Sequence, residues 1–225
     1  MRKLAIYDLD KTLVRRATFT PFLVFAARNR APVRLLLLPL WLLAMAGYKI
    51  GFCSRSALKT FGMRLMIGSV SADELEYLGQ SFVKRLETGD FMTGPVEMLR
   101  SDLEEGTTVL LATAAFEFYS RRFAERLGIE HVVATIWENG EIWGSNCYGT
   151  EKLARVRCWL AEQGDDAFDH IKFVSDSFAD APMLDFADEP VFVSRSERKR
   201  LSAQSRGWEV MHPLVSQPQE FLQAL

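Results

Sequence analysis

Lys3-Leu4-Ala5-Ile6-Tyr7-Asp8-Leu9-Asp10-Lys11-Thr12 is the stretch on which the reading of this chain turns. Its apolar run, bounded by a charged start and two acids, reads as a short buried strand ending in two carboxylates one residue apart. At the carboxyl end of a strand in an open α/β sheet, such a pair projects into the crevice where ligands bind. A cation and a phosphate can meet there. Asp-x-Asp before a threonine is also ordinary loop chemistry, in which the side chains bond nearby backbone groups, so the pair needs corroboration elsewhere in the chain.

Working outward, short apolar runs alternate with helical stretches. Strands are expected over residues 3–7, 107–112, 132–136, 171–174 and 190–193, with crossover helices over 116–127, ended by Gly128, and 152–163, ended by Gly164. That alternation predicts an α/β fold, a Rossmann-like parallel sheet. Glu138-Asn139-Gly140-Glu141 lies between two apolar-aromatic pairs and is a hairpin signal, because Asn-Gly tolerates the positive φ of a tight turn. From about Arg15 to Gly89 the rhythm breaks and only helical candidates occur, so an all-helical cap over 15–89 is expected, inserted into a core of 1–14 and 90–225. The hinges fall near Val14 and near 90–94. Within the cap, Ser71-Ala72-Asp73-Glu74 is a capping box that starts a helix to about residue 87.

The chain has 225 residues, 48% of them hydrophobic, which suffices for a substantial interior. A net charge of −2 and a pI near 6.0 supply no general attraction to nucleic acid. Cys53, Cys147 and Cys158 lack C-x-x-C spacing and His131, His170 and His212 lie far apart, so reduced thiols are expected rather than a zinc site. Only four apolar residues separate the charged start from Asp8, too few for a signal peptide, and a cytoplasmic location is expected.

Three further stretches supply the corroboration. Val109-Leu110-Leu111-Ala112-Thr113 is an apolar run ending in a hydroxyl, Gly149-Thr150-Glu151-Lys152 opens a helical pattern with a lysine near its start, and Phe173-Val174-Ser175-Asp176-Ser177-Phe178-Ala179-Asp180 ends in two acids four apart. In that order, with Asp8 and Asp10, they resemble the four motifs of the haloacid dehalogenase superfamily of phosphatases. The group containing phosphoserine phosphatase, with its helical cap after the first motif, is the nearest match, and the resemblance covers nearly the whole chain.

The resemblance implies a chemistry. A phosphate monoester repels nucleophiles and has a poor leaving group, so catalysis must supply cations, alignment and a proton. Asp8 would attack phosphorus and become an aspartyl phosphate. Asp10 would protonate the departing oxygen and then deprotonate the hydrolytic water, with the neighbouring Asp8 charge raising its pKa. Asp8, Asp10, Asp176 and Asp180 place up to four negative charges beside a phosphate, which calls for Mg2+, an ion that prefers oxygen ligands. The family pattern implies that Asp8, the Asp10 carbonyl and Asp176 contact it, with Asp180 as a nearby ligand or support. Lys152 would pair with Asp8 and a phosphoryl oxygen, and Thr113 would donate to the same group. The plain alternatives are a solvated Lys152, a strand-end Thr113 and a helix-capping Asp180.

Phosphoserine phosphatase has an acidic residue shortly after its first motif to hold the substrate amine, whereas this chain reads Arg15-Arg16-Ala17-Thr18. The cap also holds residues 35–48, fourteen residues without charge, about 21 Å long if helical, against a hydrocarbon layer of about 30 Å. Apolar on every side, this segment must be buried in protein, paired with another chain or laid into a membrane surface. Arg28, Arg30 and Arg34 before it and Lys49, Arg55 and Lys59 after it suit anionic head groups. Such a cap resembles that of the C-type phosphatidylglycerophosphatases. Arg195-Ser196-Glu197-Arg198-Lys199-Arg200 is expected to be a solvated loop and helix start.

The expectation is therefore a Mg2+-dependent phosphomonoester hydrolase for a lipid or amphipathic phosphate such as phosphatidylglycerophosphate, in peripheral contact with anionic membrane on its cytoplasmic face. A soluble small-metabolite phosphatase and a non-catalytic membrane-associated binding protein are the alternatives. A dehalogenase fits less well, because that chemistry does not call for the second acid or the metal.

Overall fold

The computed structural model of the chain describes residues 2–164 and 167–214. Its centre is a six-stranded parallel sheet in the order β3-β2-β1-β6-β7-β8, formed by β1 Lys3–Tyr7, β2 Thr108–Phe116, β3 His131–Thr135, β6 His170–Ser175, β7 Glu189–Val193 and β8 Glu209–Met211. A two-stranded antiparallel ribbon, β4 Trp137–Glu138 with β5 Glu141–Ile142, sits apart from it. Asn139 and Gly140 at its tip have φ of 51° and 80°, the left-handed pair that a tight hairpin requires.

Side chains on β1 alternate between two apolar layers. Leu4 and Ile6 join Leu110, Phe173 and Phe192 beneath α7 Thr150–Gln163, α8 Ala181–Leu184 and α9 Glu197–Gln204. Ala5 and Tyr7 join Val109, Leu111 and Val174 on the opposite face, against α5 Thr93–Glu104 and α6 Glu117–Leu127. Each fully buried Leu, Ile or Phe contributes roughly 1.5–3 kcal/mol, which is why the interior strands are largely apolar on both faces, Lys172 of β6 being an exception that pairs with Asp102 at 2.7 Å.

Residues between β1 and α5 are helical: α1 Phe19–Arg30, a 3-10 turn Pro32–Leu37, α2 Leu38–Lys49, α3 Arg55–Met66 and α4 Ala72–Lys84. They continue the second apolar layer. Phe22 and Phe82 pack against Tyr119 of α6 with ring centroids 5.1 and 6.1 Å away. Ser71 caps α4 by accepting from the Glu74 N–H at 3.2 Å, but the Glu74 carboxylate pairs with Arg30 at 2.6 Å instead of reaching back to the cap.

Some boundaries differ from expectation for physical reasons. β2 continues past residue 112 to Phe116 because a register irregularity between Ala112 and Phe116 lets it keep pairing with β3. β8 lies outside the expected strands, since Glu209-Val210-Met211 offers only two apolar residues after a charge. Helix α4 stops at Lys84, short of residue 87. Pro39 stands in the first turn of α2, where its missing N–H is not needed.

Only Trp41 of α2 is buried. It seats against α3 at Gly62, where an added Cβ would lie 2.7 Å from the indole. Leu35, Leu37, Leu38, Ala44, Met45 and Tyr48 are half-buried against the core, while among the described residues the outer side of the segment and its flanks stay open: Val33 is 70% exposed, Leu36 78%, Leu43 68% and Phe52 82%.

Candidate active site

The chain leaves β1 toward β2 and β3 and returns on the other side to β6, so the order of the sheet reverses at β1. A crevice opens at the carboxyl ends of strands at such a switch point. Register then sets who stands there. Tyr7 pairs with Leu111 on one side and Val174 on the other, which brings Asp8 level with Ala112, where the register of β2 breaks, and with the end of β6. The Asp8 N–H extends the ladder by donating to the Val174 carbonyl at 3.0 Å.

Immediately after Asp8 the backbone turns. The Leu9 carbonyl accepts from the N–H groups of Thr12, Leu13 and Val14, and Lys11 takes a left-handed φ of 63°. Buried Thr12 ties two motifs together, because its hydroxyl oxygen accepts from the Asp176 N–H at 3.1 Å and lies 3.4 Å from Asp8 Oδ2.

Lys152 comes from the first turn of α7, and its side chain is 1% exposed. Its Nζ donates to Asp8 Oδ1 at 2.9 Å and to Asp180 Oδ2 at 2.8 Å. The second Asp180 contact is Ser175 Oγ at 2.7 Å, whereas Asp180 Oδ1 is buried with no partner. Asp10 Oδ1 accepts from both the N–H and the hydroxyl of Thr18 at 2.8 Å. Thr113 is buried where β2 becomes irregular; its oxygen accepts from the Ala115 N–H at 3.1 Å. Asp8, Asp10, Thr113, Lys152, Asp176 and Asp180 all line one cavity of about 390 Å³.

The electrostatics follow from crowding acids into a dry crevice. Burial pushes the Asp8 carboxyl up to about 7; Lys152 opposes this, while Asp180 and Asp176 add to it. Asp176 is pushed up to about 6, first by burial, with Lys11 and Lys199 opposing and Asp180 and Asp10 reinforcing. Burial raises Asp10 too, against the bonds from Thr18. For Lys152, burial works to lower the ammonium, but Asp8 and Asp180 outweigh it and hold it above its ordinary value. One buried ammonium is too little for these carboxylates.

The donor set fits a Mg2+ ion. Among the described residues no three acidic, imidazole or thiol side chains could surround an ion unaided. What is present suits a hard cation that keeps several waters: the Asp176 side chain without a protein hydrogen bond among the described residues, the Asp10 carbonyl, and Asp8 Oδ2 with only a long contact to Thr12. Unpartnered Asp180 Oδ1 marks the same need for positive charge nearby.

Lys59 was not anticipated as part of this site. It arises from α3, is buried, and donates from Nζ to the Ala114 carbonyl at 2.5 Å and to Asn146 Oδ1 at 2.8 Å. Thr135 reaches the same two acceptors at 2.8 and 3.0 Å. The ammonium also lies 4.2 Å from the Phe116 ring centroid. Burial lowers Lys59 to about 7, with Asp10 opposing. A helical pattern around residue 59 carries no sign of this contact, since its partners are 55 and 87 residues away.

A family model for haloacid dehalogenase-like hydrolases matches residues 5–185. The protein named phosphoserine phosphatase SerB1 of Mycobacterium tuberculosis is 28% identical over 216 residues, covering 92% of this chain and 69% of that protein. A histidinol-phosphatase of Neisseria meningitidis serogroup C is 25% identical over 229 residues, covering 94% and 99%. Among solved structures, a protein of unknown function from Bordetella pertussis Tohama I superposes with a TM-score of 0.85 at 28% identity, over 95% of this chain and all of that one. A phospho-aspartyl intermediate analogue of phosphoserine phosphatase shares the fold, with a TM-score of 0.58 at 15% identity and coverage of 95% and 94%.

Proposed function

We propose, from the premise that this chain belongs to the haloacid dehalogenase-like hydrolases and is a phosphatase, that it is a Mg2+-dependent phosphomonoesterase for small phosphorylated metabolites. Asp8 carries the phosphoryl group between two displacements. The observation that supports this most is the buried Lys152 ammonium held between Asp8 and Asp180 at 2.9 and 2.8 Å beside an oxygen-rich cavity.

In this reading, an Asp8 oxygen forms a bond to phosphorus as the bond to the ester oxygen breaks. Asp10, fixed by Thr18 and raised by burial, holds the proton that the departing alkoxide takes. Water then attacks the phosphorus of the aspartyl phosphate, giving its proton to Asp10 and releasing phosphate. Lys152 stays charged throughout and offsets phosphoryl oxygen charge, and the Thr113 hydroxyl donates to the same group. Asp8, the Asp10 carbonyl and Asp176 would hold Mg2+, which would supply charge neutralisation and alignment of the phosphate. Residues 15–89 act as the cap and 1–14 with 90–225 as the core. A cytoplasmic setting agrees with three unpaired thiols at Cys53, Cys147 and Cys158.

Small metabolites are favoured over lipids as substrates by the relatives named for phosphoserine and histidinol phosphate. The test is turnover of a chromogenic phosphate ester and a panel of phosphorylated metabolites, with chelator and then with Mg2+ restored. Turnover that disappears with chelator and returns with Mg2+ supports the proposal; absence of turnover under all conditions refutes it.

One observation supports a second reading, a lipid-borne substrate reached by peripheral docking. The exposed side chains Leu36, Leu43, Ile50 and Phe52 lie in a stretch, residues 11–72, with ten lysines and arginines and no acid, although Lys59 is buried and Arg30 and Arg34 are engaged within the chain. Each such apolar side chain withdrawn from water contributes roughly 1.5–3 kcal/mol, and each basic side chain near an anionic leaflet about 1 kcal/mol. Co-sedimentation with phosphatidylglycerol vesicles at low salt, lost on Leu36→Glu with Leu43→Glu, would support it. A protein that stays in the supernatant excludes it.

A further inference from the structure

Outside the four carboxylates already assigned, the charged side chains lining the catalytic cavity are Lys11, Arg55, Lys152 and Lys199. None is acidic. A second cavity of about 410 Å³ shares Lys11 and Asp176 with the first, so the two adjoin, and its other charged residues are Arg15, Arg16 and Arg195. The cluster beginning at Arg195 is the exposed loop and helix start expected of it, and it stands beside the reaction centre because β7 ends there, level with β6 and Asp176. Lys11, Arg16, Arg195 and Lys199 form no ion pair among the described residues, and Arg15 is held only by donating from Nε to the Phe91 carbonyl at 3.1 Å.

From these residues we infer that the adjoining cavity is a second anion subsite, and that the preferred substrate is a phosphomonoester bearing another anionic phosphate group rather than an ammonium. This rests on the phosphomonoesterase reading above and specifies its substrate class. An ammonium placed in either cavity would face cations, with no carboxylate free of the ion and the reacting phosphate; like charges brought together disfavour binding. A second phosphate would find three guanidinium groups suited to bidentate contact and the Lys11 ammonium. Lys11 follows Asp10 directly and lines both cavities, so one substrate can span from the reacting phosphate to the arginines. Free sugar bisphosphates and lipid head groups that carry a phosphodiester beside a terminal phosphate share this chemistry.

The test compares fructose 1,6-bisphosphate with fructose 6-phosphate, phosphoserine with histidinol phosphate, and p-nitrophenyl phosphate as the reference ester, all with the Mg2+-loaded protein. Phosphatidylglycerophosphate in detergent micelles forms a separate arm. The expected result is kcat/KM at least about tenfold higher for the bisphosphate than for its monophosphate, a factor within reach of one charged contact. That advantage should lie in KM and shrink as salt is raised. The Arg16→Ala/Arg195→Ala double variant should remove it, leaving kcat on p-nitrophenyl phosphate within about twofold, since neither side chain reaches the reacting atoms. A preference confined to the micellar substrate and lost in the same variant assigns the subsite to lipid head groups. Equal kcat/KM across the fructose pair with no micellar preference overturns the inference, as does a preference for phosphoserine or histidinol phosphate, or a double variant that lowers every substrate equally. Turnover of p-nitrophenyl phosphate keeps this outcome separate from failure of the phosphomonoesterase reading itself.

Discussion

Lys152 Nζ lies 2.9 Å from Asp8 Oδ1 although 144 residues separate the two in the chain. The contact is made where α7 begins, over the end of β1, and both partners are buried. Lys152→Met keeps the volume and removes the charge, leaving Asp8 and Asp180 facing each other. Breaking a buried pair in this way costs about 3–5 kcal/mol, and loss of the phosphoryl contact lowers kcat by about 10²–10³. Urea unfolding of the metal-free variant and steady-state turnover with Mg2+ measure the two effects. Unchanged kcat would remove Lys152 from the reaction.

Stability of the metal-free protein should fall as pH rises toward neutrality. Asp8 and Asp176 are raised from 3.8 to about 7 and about 6, so the folded state binds protons that the unfolded chain has released. A raised carboxyl contributes stability that is complete below the unfolded value and is lost as pH climbs through the folded one. Tm without metal is therefore expected to drop between about pH 4 and about pH 7, and added Mg2+ to raise Tm more at the higher pH. A flat profile, with Mg2+ acting equally at both ends, contradicts this account of the carboxylates.

Lys59 joins α3 to the segment that carries Thr113. Replacing it by methionine strips one donor from the Ala114 carbonyl and from Asn146, at a cost of about 1–3 kcal/mol. Thr113 sits next to Ala114, so kcat/KM for a small ester should drop by about tenfold through misplacement of its hydroxyl. Chemical denaturation and kinetics on the same preparation test this. Full activity in a destabilised variant would confine Lys59 to stability.

Gly62 is where α2 meets α3, and a side chain there collides with Trp41 and with Leu23 Cδ1, which a Cβ would approach to 3.0 Å. Gly62→Val is expected to cost about 1–3 kcal/mol by overpacking and to shift tryptophan emission to the red as the indole is displaced. Unaltered emission and stability would show that α2 docks less closely than the contact implies.

How far the chain could be read in advance depended on range. β1 and the interior strands were legible because a strand buried on both faces is apolar throughout, and Asp8, Asp10, Asp176 and Asp180 were legible because they interrupt such runs at their carboxyl ends. Lys152 could be placed by its position after Gly149 at the start of a helix. β8 escaped notice, being three residues with only two apolar side chains. Lys59, Asn146 and Thr135 escaped because their meeting depends on how α3 lies across the sheet, a tertiary fact without local periodicity. Residues 35–48 showed an apolar segment but not its surroundings; packing decided that Trp41 would be fully buried and one side of the segment half-covered. The arginines at 15, 16 and 195 come together only through the register of β1, β6 and β7.

The most direct test of the central claim is acid quenching of the Mg2+-loaded protein during turnover of a phosphate ester, followed by mass mapping of its peptides. The account predicts one acid-stable, base-labile phosphoryl group on the peptide containing Asp8, absent from Asp8→Asn and accumulating when Asp10→Asn slows hydrolysis. Phosphate found on another peptide, or turnover by the Asp8→Asn variant at the wild-type rate, would contradict it.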